Sequence, residues 1–408
     1  MTHEIMELTA RELLTHLFQT AIDEVDGRLR VQSWCRDNNA RFDHCIAIGK
    51  AAPAMLQGAL DHNKNLRQAL LICPPGHYSR AIRKDKRINI VESSHPVPDQ
   101  TSLDAGEALL RFLDSIPQGE KLLVLVSGGT SSLVEVMIDG LSLEQLQKIN
   151  QHLLASGKNI QQMNAWRKQF SRIKGGGLLE YVQTEHCTQL LISDVQNDDA
   201  SVIGSGLLVA SHDQVLDDDH FLHGLLSTVQ VKSRHCLDAI ESHIVATQQQ
   251  AMQAAYDEAE NMGVDCYLHA EFLSGEAEEQ GVRIAQWLLS APAGIHIWGG
   301  ETTVTLPESP GTGGRNQQFA LAAAQVLDGY NDISLLAAGT DGIDGNTPCA
   351  GAVVYGSTMQ AAQKLGMDVA QALQKADAGK VLMATEYWLK TGPTNTNVMD
   401  LVIAYKRT

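Results

Sequence analysis

Short unbroken apolar runs, separated by longer amphipathic stretches, set the rhythm of the first half of the chain. The runs are CIAIG from Cys45, ALLIC from Ala69, INIVES from Ile88, LLVLVSGG from Leu122 and QLLISD from Gln189. A run of this length bounded by turn residues fits a strand buried on both faces, as in a parallel sheet covered by helices. Helical stretches fall between the runs. One begins near Pro53, where proline is tolerated in a first turn, and one spans Ser102 to Asp114. A third starts at Ser142, with Gln145 at capping-box spacing, and continues past Leu154. At the start of the chain, Leu13, Leu14, Leu17, Phe18, Ala21, Ile22 and Val25 make one helical stripe, and Thr9 and Glu12 have capping-box spacing before it. Strands alternating with helices predict an α/β fold with a mainly parallel sheet.

The texture changes after Gly206. The stretch SHDQVLDDDH is acidic and loop-like, and a long helical segment is expected from Cys236 to Met262. A second α/β region follows, with strands at VDCYLHA, GIHIWGG, TTVTL and ISLLAAG, a helix from Asn316 to Leu327 and further helices to about Ala378. A chain of 408 residues is long for one core. We expect a Rossmann-like domain over 1–235 and a smaller α/β domain over 236–390, with 391–408 returning to the first.

Composition narrows the chemistry. The 48 acids outnumber the 31 Lys and Arg, for a formal charge of -17. Such a surface repels nucleic acid and anionic lipid, so an anionic substrate needs a local positive pocket. No apolar run approaches the roughly 20 residues that span a bilayer, and MTHEIMELTARELL does not read as a secretory leader. Seven scattered cysteines without a CxxC pair suit reduced thiols in a cytoplasm. The 15 histidines show no HExxH spacing, which argues against a catalytic zinc. A monomer or homodimer is expected.

Six strings could carry chemistry. Lys50, in IAIGKAA, follows a strand where a parallel sheet binds ligands, although a lone GK is weak and GxxxxGK[ST] is absent. VSGGTSS supplies Ser127, Gly128, Gly129, Thr130 and Ser131, either a phosphate cradle or a tight turn. In SRIKGGG, Lys174 belongs to a basic cluster with Arg167, Lys168 and Arg172; the plain alternative is a solvated helix face with a glycine cap. Asp194 ends a strand near Asp198 and Asp199 and suits either Mg²⁺ or a turn. WGGETTVTL and GTGGRNQQFAL place Glu301 and Arg315 beside glycines, where a guanidinium fork meets phosphate or carboxylate. LAAGTDGIDGNT carries Asp341 and Asp344 but fails the EF-hand pattern.

Taken together, the strings IAIGKAAPAM, SSHPVPDQTSLDAGEALL, LVLVSGGTSSL, NAWRKQFSRIKGG, LLISDV, GGETTVT, GGRNQQFAL, AAGTDGIDG and TGPTNTNVMDL resemble the glycerate 2-kinases of the MOFRL type. They occur in family order over almost the whole chain. The resemblance implies a Rossmann-like domain with a smaller MOFRL domain, an active site in the cleft, and ATP- and Mg²⁺-dependent phosphorylation of glycerate at its 2-hydroxyl. It places the catalytic lysine on Lys50, the GGRNQ arginine on Arg315 and the phosphate loop on Ser127 to Ser132. Asp194, Glu301 and Asp341 are the acids expected to serve the metal, with Lys174 beside the nucleotide. The chain departs from the family at QNDDASVIGSGLLVASHDQ, which lacks the SGPT and proline segment, and at Gln169, where the family has histidine. Those departures leave room for another hydroxy acid, or for a non-catalytic sensor of sugar acids or nucleotides. A hydroxypyruvate reductase-type oxidoreductase would need a GxGxxG fingerprint, which the chain lacks.

Overall fold

The computed structural model describes residues 3–156, 158, 160–209, 217–227 and 240–407. The chain forms two compact units, Gly27–Ala246 and a second made of Met1–Asp26 with Thr247–Thr408.

The first unit is built on a fully parallel sheet. Its strands are β1 (His44–Ile48), β2 (Gln68–Cys73), β3 (Ile88–Glu92), β4 (Leu122–Val126), β5 (Cys187–Ile192) and β6 (Glu241–Ala246). Their order is β3-β2-β1-β4-β5-β6. Every residue of β1 and β4 is buried, as unbroken apolar runs at the sheet centre require. On one face Ile46, Ile48, Leu70, Val124 and Val126 pack in a core with Ala105, Leu109 and Leu113 of the helix Gln100–Asp114. The chain turns to opposite sides at β1 and β4, which opens a crevice beyond their carboxyl ends.

The second unit carries a mixed sheet. Its strands are β7 (Cys266–Leu273), β8 (Gly294–Gly300), β9 (Ile333–Gly339), β10 (Gly351–Tyr355), β11 (Trp388–Leu389) and β12 (Asp400–Lys406), in the order β11-β10-β9-β12-β8-β7. Only β7 and β8 run parallel; the remaining pairings are antiparallel. The helix Arg315–Val326 buries nine consecutive residues from Asn316 to Ala324, and its alanines and Phe319 share a core with Leu335, Ala337, Val354 and Val402.

Several expectations are corrected. Residues 391–408 do not return to the parallel sheet: β12 pairs with β8 on one side and β9 on the other. Its buried LVIA run satisfies both neighbours, so it can only be an interior strand. The opening helix, His3–Glu24, also belongs to the second unit, and Thr9 lies inside it rather than at its start. The division falls after Ala246, not near 235. The helix expected from Cys236 is instead β6 followed by the helix Gln248–Asn261, started by a Thr247–Gln250 capping box. Cys236 and most of SHDQVLDDDH, residues 211–216, lie outside the described residues. TTVTL contributes only an isolated bridge between Thr303 and Glu276. The Ser142–Gln145 box is present. Ser102 proves to be the third residue of its helix, bonding back to the cap Asp99. Among the described residues no helix is long and apolar enough to cross a membrane.

Candidate active site

In the parallel-sheet unit, β1 and β4 run in register to Ile48 and Val126, and the loops leaving them interlock. Ser127 N donates to Ile48 O at 3.0 Å and Lys50 N donates to Gly128 O at 2.9 Å. Ser127 Oγ accepts from Ala51 N at 3.1 Å, at the start of the helix Ala52–His62. The Thr130 hydroxyl lies 3.0 Å from Ile48 O and 2.8 Å from Ser127 O. Gly49 makes this crossing possible. Its φ is +127°, and a Cβ there would stand 2.2 Å from Ser127 Oγ and 2.6 Å from Ser127 O, closer than any side chain tolerates.

Gly129 is the second forced glycine. At φ +88°, a Cβ on it would stand 3.0 Å from His95 Cδ2, 3.3 Å from His95 Nε2 and 3.3 Å from Lys50 Cγ. The half-buried Lys50 and His95 therefore pack against the loop 127–132 at Gly129. Lys50 thus lies beside the loop that carries Ser127, Gly128, Gly129, Thr130 and Ser131. The Ser127 and Thr130 hydroxyls are fully buried and bond backbone, so they shape the loop rather than open onto it. The Ser131 hydroxyl accepts from Ser205 at 2.9 Å.

Lys174 is placed differently from expectation. It is buried, and its Nζ donates to the equally buried Glu135 at 2.5 Å. Lys168 donates to Ser201 O at 3.0 Å, and Arg172 stands 3.6 Å from Asp139. The basic cluster thus faces inward or toward acids rather than forming an open patch. Asp194 is half-buried just past the end of β5, while Asp199 serves as a turn residue, accepting from Ser201 N at 2.8 Å.

In the mixed-sheet unit, antiparallel pairing puts the start of β12 beside the ends of β8 and β9, with Asp400 opposite both Gly300 and Gly339. Arg315 opens its helix at this edge. Its Nε and Nη2 donate to the two oxygens of Asp400 at 2.6 and 2.9 Å, and Nη1 meets Glu301 at 2.7 Å. Burial alone would lower the guanidinium's pKa, but Asp400 and Glu301 raise it above its ordinary value. Asp344 supports the same helix start, accepting from Asn316 N at 3.0 Å and Gln317 N at 2.8 Å. Burial pushes its carboxyl up to about 7, against those two backbone bonds. Gly314 and Gly345 let the two loops touch: a Cβ would stand 2.4 Å from Asp344 Oδ1 at the first and 2.0 Å from Gly313 O at the second. Asp341 accepts from Ile343 N at 3.1 Å within its own turn.

The expected metal acids do not form one ligand set within a unit. Asp194 belongs to the first unit and Glu301 and Asp341 to the second, and Glu301 is engaged with Arg315. Among the described residues no three His, Cys, Asp or Glu converge to hold an ion. Two groups escaped the sequence reading. His95 lies within the string SSHPVPD, and Asp400, the partner of Arg315, lies within TGPTNTNVMDL at the head of β12.

A site at the crevice of a doubly wound sheet, bordered by a lysine and a glycine–serine loop, is of a kind used for phosphorylated ligands. Residues 13–237 match the family model described as a domain of unknown function (DUF4147), and residues 294–400 match the MOFRL family. A D-glycerate 2-kinase from Thermotoga maritima is 35% identical over 379 residues, covering 88% of this chain and 89% of the relative. A glycerate 2-kinase from Pyrococcus horikoshii is 30% identical over 88% of this chain and 86% of its own. A protein of Agrobacterium vitis named provisionally as a hydroxypyruvate reductase is 34% identical, with 88% and 98% covered. The solved structure of glycerate kinase from Thermotoga maritima superposes with a TM-score of 0.82 at 31% identity, covering 98% of this chain and 99% of that one. The chain belongs to the MOFRL family of glycerate 2-kinases, and it is a phosphotransferase of that type.

Two outcomes follow from the buried charges. Lys174→Met leaves Glu135 buried without its cation and is expected to lower stability by about 3–5 kcal/mol, read by urea unfolding; an unchanged midpoint would refute the internal role. For Asp344, the unfolded carboxyl ionises near 3.9, whereas the folded one holds its proton up to about 7. The group's contribution to stability is full below about pH 3.9 and is lost as pH rises through 7. The stability difference between wild type and Asp344→Asn should therefore shift against wild type from pH 4 to 7; parallel pH curves would refute the raised value.

Proposed function

We propose that the chain transfers the γ-phosphoryl group of ATP to the 2-hydroxyl of glycerate or a closely related small hydroxy acid. The observation that supports this reading is the packing at Gly129, where Lys50 meets the loop 127–132 beyond the carboxyl ends of the parallel sheet. Relatives named as glycerate 2-kinases over most of the chain support the substrate class. Phosphoryl transfer asks a protein mainly for positioning and for positive charge. Backbone amides of the loop approach the phosphates, and the Lys50 ammonium offsets the charge that spreads over the transferring group. The second unit carries a candidate cation of its own, Arg315. Asp400 and Glu301 fix its fork, while Nη1 and Nη2 each carry a further proton able to meet a carboxylate or phosphoryl oxygen.

Mg²⁺ enters with ATP as part of the nucleotide substrate, and Asp194 is the acid proposed to attend it. Lys174 is not assigned to the nucleotide, because its charge is taken by Glu135. The six free cysteines of the described residues fit a reducing cytoplasm. Hydride transfer is not favoured: the turn after β1 reads IGKAAP, with one glycine where a dinucleotide fingerprint needs three.

The test is ADP release across a panel of hydroxy acids, with and without NADH. Turnover with glycerate that needs no NADH and stops on chelation with EDTA is expected. NADH oxidation without ADP release would select the reductase, and ligand binding without either would select a sensor. Lys50→Ala should lose at least ~100-fold in kcat/KM, or roughly 2.7 kcal/mol of transition-state stabilisation; near-normal turnover of the folded variant would remove Lys50 from the reaction. Arg315→Lys cannot hold Asp400 with two parallel bonds, so kcat should fall by about 100-fold while ATP affinity changes little. Full kcat in that variant would leave Arg315 a structural partner of Asp400.

A further inference from the structure

Beside Lys50, a second side chain packs against Gly129. We propose that His95 takes the proton from the hydroxyl that attacks the phosphoryl group. The proposal rests on the kinase reading above and adds a residue to it.

Two observations place His95 there. The imidazole edge bearing Cδ2 and Nε2 lies 3.0 and 3.3 Å from where a Cβ of Gly129 would be, and Lys50 Cγ lies 3.3 Å from the same point. The loop that carries His95 is also fastened on both sides of it. Ser93 N donates to Cys73 O at 3.1 Å, and Ser93 Oγ donates to Leu133 O at 2.7 Å, which ties the segment after β3 to the loop following β4. Ser94 N donates to Thr101 Oγ1 at 2.9 Å, and Asp99 caps the helix Gln100–Asp114. Because β1, β3 and β4 are parallel, all three segments emerge at the same edge of the sheet.

Chemistry selects its role. In the proposed transfer the acceptor hydroxyl loses its proton as the new bond forms. The Lys50 ammonium has three donors and no acceptor. The Ser127 and Thr130 hydroxyls are engaged with the backbone, and Glu135 is engaged with Lys174. An imidazole accepts a proton near neutrality and is the commonest group to do so in catalysis. In the step, the O–H bond of the hydroxy acid breaks and its proton passes to His95 Nε2. The oxygen's electron pair forms the new O–P bond. The bond from the γ-phosphorus to the bridging oxygen breaks, and that pair leaves with ADP. Lys50 Cγ approaches the same point on Gly129 as His95, and the Asp99 carboxylate, in His95's own loop, is bonded by the Thr101 hydroxyl and amide, the Ser94 hydroxyl and the Ser102 amide.

The experiment measures kcat and KM of wild type, His95→Gln and His95→Asn from pH 5 to 9, with ATP affinity by calorimetry. Wild-type kcat is expected to fall on the acid side with unit slope as the imidazole protonates. Both variants should lose about 100-fold in kcat at pH 8 and lose the acid limb, with ATP affinity within about threefold of wild type. A folded His95→Gln enzyme with kcat near wild type, or one that keeps the acid limb, overturns the proposal. A wild-type kcat that is flat from pH 5 to 9 overturns it without recourse to any variant. If the wild type releases no ADP with any hydroxy acid, the kinase reading falls and this one with it. An active wild type with unaffected variants removes only His95.

Discussion

The parallel-sheet unit depends on the close crossing of the two loops that leave β1 and β4. Neighbouring strands sit less than 5 Å apart, so loops diverging from their ends have little room to pass. Here the conflict is resolved by the absence of one methyl group. With only hydrogen at Gly49, Ser127 comes near enough for its hydroxyl to take the amide of Ala51, and Lys50 can bond the carbonyl of Gly128. The backbone groups that would otherwise be left bare at the strand ends satisfy one another. The backbone of Lys50 is thereby held between two anchored turns.

The mixed-sheet unit uses the same device with an arginine. Gly314 and Gly345 allow the loop before the helix Arg315–Val326 to touch the loop after β9. That contact lets Asp344 cap the helix and leaves Asp400 and Glu301 to grip the guanidinium. An acid buried this deeply is costly unless bonded, and Asp344 retains its proton unusually far up the pH scale for that reason. In both units a cation stands at strand ends because glycine lets two backbones meet.

The parallel sheet was legible in the sequence because β1, β2 and β4 are built on unbroken apolar runs bounded by turns, with shorter apolar stretches in β3 and β5. The sixth, ESHIVA, was not: its first four residues are only partly covered or exposed, so polar side chains interrupt the run. The C-terminal segment was given to the wrong sheet because its LVIA run suits an interior position in either one. Arg315 and Glu301 stood out because glycines flank charged residues there, whereas a lone GK is a weak pattern and Lys50 was singled out by the family resemblance. Lys174 shows the limit of that approach. A basic residue followed by glycines looks like a ligand site, and only the fold reveals Glu135, 39 positions away, at its ammonium. His95 and Asp400 depend in the same way on contacts between distant segments, which no local spacing encodes.

The placement of β12 bears on how the chain is made. The second unit draws its first helix from residues 3–24 and a central strand from residues 400–406. Synthesis proceeds from the N-terminus at a few residues per second. The helix therefore leaves the ribosome long before the strand that completes its sheet exists, while every strand of the parallel unit has already been made. Until residues 400–406 emerge, β8 and β9 each present an unpaired edge, the kind of surface that invites wrong partners. A nascent chain of this protein is thus one finished unit followed by an open sheet, and that interval is when a chaperone has most to protect.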